Sequence, residues 1–260
     1  MCCTVACEEK RMVCIETELV NPKLILIVGQ SNTHYGLGLD ESIDAPIDGI
    51  YQLGRFDNNN CIIQACEPLD NHTKTKKRIG FAFTFAKQLK QYLQEADDII
   101  IIPCGYGGTG FIDGNWNKTN PLYEDAVSRT NHVLAKYPNA ELSAILWHQG
   151  ETDIVLNNPN YQSSLDQFIE DIRTDLSAPE VPFIVGGMVP FWVNQTSERQ
   201  AVQNILKTTP QRQVHTGYAD PELPFVIGKS NNTFDEVHFN ATGQRELGNR
   251  YFAKYLEIVD

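Results

Sequence analysis

The chain has 260 residues, 42% of them hydrophobic, which is enough apolar material for one large α/β domain and too little length for two full ones. A net charge of −12 argues against nucleic-acid binding, and any anionic substrate would need a local cation working against the global field. No apolar run approaches the roughly 18 residues that a membrane span requires.

Seven cysteines sit at 2, 3, 7, 14, 61, 66 and 104. Their odd number and the crowding of four near the start fit no obvious disulfide framework. A metal cluster of Cys2, Cys3, Cys7 and Cys14 would need a second ligand pair downstream, and none follows, so residues 1–23 read as a strap with reduced thiols. The start also lacks the basic and apolar regions of a secretory signal, which makes a cytoplasmic location the default expectation. Residues 24–260 read as a single domain.

Leu24–Val28 is the first of several short aliphatic runs, apolar on both faces as buried parallel strands are. It drives into "GQSN", Gly29 to Asn32, where Ser31 and Asn32 fit either a turn cap or a nucleophile at a strand tip. About fifty residues then pass before a helical pattern begins, far more than an ordinary connection. Within this insertion, at about 37–78, Ile50–Phe56 and Cys61–Cys66 flank "DNNN" and predict a β-hairpin; the long connection as a whole begins at Ser31 and is expected to hang over that site. Phe81–Leu93 is the first predicted helix, and Ile99–Ile102 the second strand, running into "PCGYGGTGF". Tyr123–Lys136 is helical; Leu142–Trp147 is the third strand and runs into "HQGETD". Tyr161–Leu176, strand Pro182–Gly186, helix Glu198–Leu206, a weaker strand at Val214–Tyr218 and helix Thr242–Ile258 with Asn240 as N-cap complete the chain. The alternation predicts a three-layer α/β/α sandwich around a parallel sheet of about five strands.

In such sheets ligands bind beyond the carboxyl ends of the strands. Four polar or glycine-rich segments converge there: those after the first three strands, and "DEVHF" before the last helix. A serine hydroxyl needs a base, usually an imidazole, and the imidazole needs a carboxylate to orient it. Ser31, His238 and Asp235 fit those roles, the last two only three residues apart. Candidate oxyanion donors are the Ser31 N–H, an N–H of Gly107 or Gly108, and the Gln149 side chain. Gln30, Asn32 and Glu151 also count as substrate-binding candidates; Glu151 and Asp153 could be general acid/base carboxylates, but bracing of the loop by hydrogen bonds is the favoured reading for both. His148 reads as structural or substrate-lining, for want of a carboxylate to orient it. His34, His72, His132 and His215 show no metal-ligand spacing, so no metal site is expected.

"GQSN", "PCGYGGTGF", "WHQGETD" and "DEVHF", in this order, resemble the SGNH hydrolase superfamily, which has a flavodoxin-like fold. Within it they are similar to the branch of sialate O-acetylesterases and acetylxylan esterases. "GLGLDESIDAPIDGIYQLGRF" and "NPLYEDAVSRTNHVLAKYPN" are similar to the bacterial sialate O-acetylesterases, whereas the clear Asp-x-x-His block departs toward the acetylxylan type. The resemblance implies Ser31 as nucleophile, His238 as base, Asp235 as its orienting partner, and an O-acetylated sugar as substrate, with no cofactor. A sialic acid carries a carboxylate. Arg55, in the "LGRF" stretch, is the first candidate to receive it, a solvated hairpin charge being the alternative; Arg78, Lys74, Lys76 and Lys77 follow. Acetylated polysaccharide, and a non-catalytic sugar-binding module on the same scaffold, are the competing readings.

Overall fold

In the computed structural model, which describes residues 13–93 and 97–260, the aliphatic runs become the centre of a seven-stranded sheet. Its strands are β1 (Lys23–Gly29), β3 (Ile50–Leu53), β4 (Ile62–Gln64), β6 (Ile99–Pro103), β7 (Glu141–His148), β8 (Phe183–Gly186) and β9 (Thr216–Ala219). A separate antiparallel pair joins β2 (Gly36–Leu37) to β5 (Arg78–Ile79). The order in the large sheet is β4-β3-β6-β1-β7-β8-β9, parallel throughout except for β4 against β3. Leu24 to Val28 and Ile99 to Ile102 have no exposed surface, as strands covered on both faces require.

The helices are α1 (Ala82–Tyr92), α2 (Pro121–Lys136), the short α3 (Glu151–Val155), α4 (Tyr161–Asp175), α5 (Pro190–Val193), α6 (Ser197–Lys207) and α7 (Ala241–Val259). The five long ones match the sequence expectation to within two residues. Pro121 opens α2 at a position where its missing N–H costs nothing. The Asn240 side chain caps α7 by accepting from the Gly243 N–H at 2.7 Å. α1 packs on α7, with Phe81 stacked on Tyr251 at 4.3 Å between ring centres. α2 packs on α4, and α4 on α6, over a cluster of Phe111, Trp116, Trp147 and Phe168.

Two expectations fail here. The predicted hairpin forms, but the sheet is larger than expected: β3 pairs in parallel with β6, so the hairpin extends it to seven strands instead of about five. The reduced strap also fails, at least in its described part. Cys14 is disulfide-bonded to Cys61, and the Ile15 N–H donates to Ile62 O at 2.7 Å, which ties the strap to β4. Cys66 is also disulfide-bonded, while Cys104 is free and buried, its thiol pushed up to about 12 by burial. Cys2, Cys3 and Cys7 lie outside the described residues.

Candidate active site

β1 ends on a residue that has no room for a side chain. Gly29 has φ +124°, and a Cβ there would lie 2.2 Å from the carbonyl oxygen of His148 on the neighbouring strand. The Gln30 N–H then donates to that same carbonyl at 2.9 Å, and Ser31–Thr33 forms a single 3₁₀ turn. This turn leaves Ser31 half-buried at the carboxyl edge of the sheet.

The loop before α7 meets it. His238 Nε2 lies 2.8 Å from Ser31 Oγ, and His238 Nδ1 lies 2.9 and 3.1 Å from the two carboxylate oxygens of Asp235. Asp235 also accepts from the His238 backbone N–H at 3.1 Å, so one carboxylate fixes both the ring and its loop. Lys229 stiffens the same loop by donating to the carbonyls of Ser230, Asn232 and Asp235. Burial lowers the His238 pKa below the ordinary histidine value; Asp235 opposes this, and the charge of Arg78 adds to it. The imidazole is therefore neutral near pH 7, with Nδ1–H donating to Asp235 and Nε2 open to accept from the serine hydroxyl. Such a chain can move the hydroxyl proton onto His238.

The glycine loop after β6 closes the other side. A Cβ on Gly107 would touch Ser31 Cβ at 3.5 Å, while Gly108, at φ +73°, faces open space. Of the two glycines offered by the sequence, Gly107 is the one beside Ser31. Among the described residues no acceptor takes the backbone N–H of Ser31 or Gly107, so both remain available to an oxygen at the hydroxyl.

A family model described as "Carbohydrate esterase, sialic acid-specific acetylesterase" matches residues 21–257. The chain belongs to this family. It is accordingly a carbohydrate ester hydrolase. A probable 9-O-acetyl-N-acetylneuraminic acid deacetylase from Escherichia coli is 26% identical over 220 residues, covering 65% of this chain and 68% of that protein. Among solved structures, NanS superposes with a TM-score of 0.79 at 19% identity, over 93% of this chain and 98% of its own. A protein from Arabidopsis thaliana gives 0.74 at 24% identity, over 92% and 98%. The two structural likenesses bear on the fold.

In this esterase several residues read from the sequence as substrate-facing point into the protein instead. Gln149 is fully buried; its Nε2 donates to Asp153 at 2.7 Å and lies 3.3 Å from Gln30 Oε1 and Thr109 O. Both its amide hydrogens are committed, which removes it as an oxyanion donor. Gln30 is buried as well and accepts from the Thr152 N–H at 3.2 Å. Asn32 has no exposed surface. It donates to Val237 O at 2.8 Å and accepts from the Phe239 N–H at 3.2 Å, gripping the chain on both sides of His238. The same amide donates to Glu151 Oε1 at 2.7 Å. Glu151 is thus a brace, and full burial pushes its pKa up from 4.5 to about 7, against the pull of its backbone N–H and Asn32. Asp153 braces the glycine loop by accepting from the N–H groups of Phe111 and Ile112 at 2.9 Å each. His148 is structural: it is fully buried, with Nδ1 3.2 Å from the Tyr251 hydroxyl.

Arg55 is neither substrate-facing nor solvated. It sits just past β3 and forks onto Asp125 at 2.7 and 3.1 Å, with a further bond to Pro103 O. Burial opposes the charge of Asp125, but the contacts from His72 and Arg55 outweigh it and hold the carboxyl well below the usual carboxylate range. A free carboxylate would have to displace Asp125 to reach this guanidinium. The sequence reading missed Tyr35. Its ring packs against His238 with centroids 4.8 Å apart, and its position four residues after Ser31 was the available signal.

Proposed function

We propose that this esterase removes O-acetyl groups from sialic acid through an acetyl-enzyme on Ser31. The observation that carries the catalytic part is the continuous contact from Ser31 Oγ through both nitrogens of His238 to Asp235. His238 Nε2 takes the hydroxyl proton as Ser31 Oγ bonds to the acetyl carbonyl carbon. The oxygen's developing charge is met by the N–H groups of Ser31 and Gly107. As the tetrahedral centre collapses, the bond to the sugar oxygen breaks and His238 returns the proton to that oxygen. Water, deprotonated by the same nitrogen, then attacks the acetyl-serine. Acetate leaves, and the proton is restored to Ser31 Oγ. Asp235 holds the tautomer that makes Nε2 the acceptor.

The sialic acid part rests on the description of the family and on the Escherichia coli relative. Both parts are tested by acetate release from O-acetylated sialic acids, acetylated xylan and aryl acetates, using the native chain and Ser31→Ala. The expected result is release that is fastest from the sialic acid esters and lost by a factor of at least about 10³ in the variant. Equal activity of the two proteins refutes the triad. Faster release from xylan refutes the sugar.

A further inference from the structure

A carboxylate-bearing substrate in a protein of net charge −12 needs a cation that its own acids have not claimed. Most cations near the site are claimed. Arg55 is forked onto Asp125, Lys229 is spent on three carbonyls, and Lys74 lies 3.6 Å from Asp57. Arg78 differs. It is half-buried in β5, held by pairing with Leu37 of β2. Its Nη1 donates to Tyr35 O at 2.7 Å, and its guanidinium carbon sits 4.0 Å from the centre of the Tyr35 ring. The rest of the fork has no partner among the described residues, and no carboxylate there pairs with it.

Tyr35 also packs against His238, so the guanidinium carbon lies within about 9 Å of the imidazole centre. That span is of the order separating the carboxylate of a sialic acid from an ester on its glycerol tail. A guanidinium stacked on an aromatic face and anchored by one nitrogen keeps the others in a fixed plane, a geometry that suits two parallel bonds to a carboxylate. Because the fork is already oriented, little side-chain entropy is lost when the anion docks.

Resting on the sialic acid reading above, we propose that Arg78, seated on Tyr35, binds the carboxylate of the sugar substrate and sets the preference of this esterase for acidic over neutral esters. The test compares kcat/KM for O-acetylated sialic acid and for its carboxyl methyl ester, in the native chain, Arg78→Ala and Arg78→Lys. The native chain should prefer the free acid by roughly 10- to 100-fold, the range for a hydrogen bond to a charged group, with the difference in KM. Arg78→Ala should bring the ratio close to one, and Arg78→Lys should restore part of it.

Two results overturn the assignment and leave the acetylesterase reading intact: a native chain that cleaves acid and methyl ester equally well, or an Arg78→Ala variant that loses the same factor on both. The second would make Arg78 a support for Tyr35 and His238 only. A native chain that cleaves neither sialic acid form but does cleave acetylated neutral sugars removes the substrate reading and this one together.

Discussion

Glu151 gives the sharpest thermodynamic test of how the site is built. Its carboxyl is buried, accepts a bond from Asn32, and has a second oxygen with no hydrogen-bond partner among the described residues. Raising its pKa from 4.5 to about 7 means that the folded state binds the proton more tightly than the unfolded chain does. Below pH 4.5 both states hold the proton and the group contributes no pH dependence. Between pH 4.5 and 7 the unfolded chain releases it and the folded state does not, so stability falls as pH rises, and it levels off above 7. At about 1.36 kcal/mol per pH unit the loss amounts to roughly 3 kcal/mol. Glu151→Gln keeps an oxygen for Asn32 and cannot ionise. Denaturant unfolding of both proteins from pH 5 to 8.5 should show the variant gaining on the native chain by most of that 3 kcal/mol. Other titrating groups are common to both proteins and cancel in the difference. A difference that stays constant with pH would refute burial of an ionisable Glu151, and with it the brace that ties Asn32 to the His238 loop.

Asp235→Asn should lower kcat/KM on an aryl acetate by on the order of 10³–10⁴, since the amide no longer enforces the tautomer with Nε2 open; a loss below about tenfold contradicts the orienting role. With neutral His238 proposed as the base, the acid limb of the kcat/KM profile should lie below pH 6.5, because burial lowers its pKa. Removing the Arg78 charge should move that limb upward, and a native limb above 6.5 refutes the dominance of burial. Gly29→Ala forces a Cβ to within 2.2 Å of backbone at positive φ and should cost ~3 kcal/mol or more of unfolding free energy. Gly108→Ala, at positive φ but with nothing within 4 Å, should cost only about 1–2 kcal/mol; equal losses would mean that close approach is not what selects glycine at position 29.

What the sequence made legible was the placement of segments. Aliphatic runs define the strands, the polar stretches after them mark one edge, and the spacing of Asp235 and His238 brings an imidazole to a carboxylate. What it did not make legible was depth and long-range pairing. Nothing local to Arg55 marks Asp125, seventy residues away, as its counter-ion, nor does anything near Cys14 point to Cys61. The hairpin likewise shows its own pairing in sequence but not its parallel match to β6.

The misread residues at the edge share a chemistry that explains the error. Gln30, Asn32 and Gln149 are all amides, and each links loops far apart in sequence: Gln30 to Thr152, Asn32 to Val237 and Phe239, Gln149 to Thr109. Where several loops converge in a dry layer, their backbone groups need both donors and acceptors, and an amide supplies both without burying a charge. Amides at such an edge are thus the natural cross-braces. The groups left without a bracing partner among the described residues are those a brace does not need: a hydroxyl with its imidazole, the N–H groups of Ser31 and Gly107, and a guanidinium on an aromatic ring that meets no carboxylate. By that criterion Arg78 belongs with Ser31 and His238, and Gln149 with Asp153 beneath them.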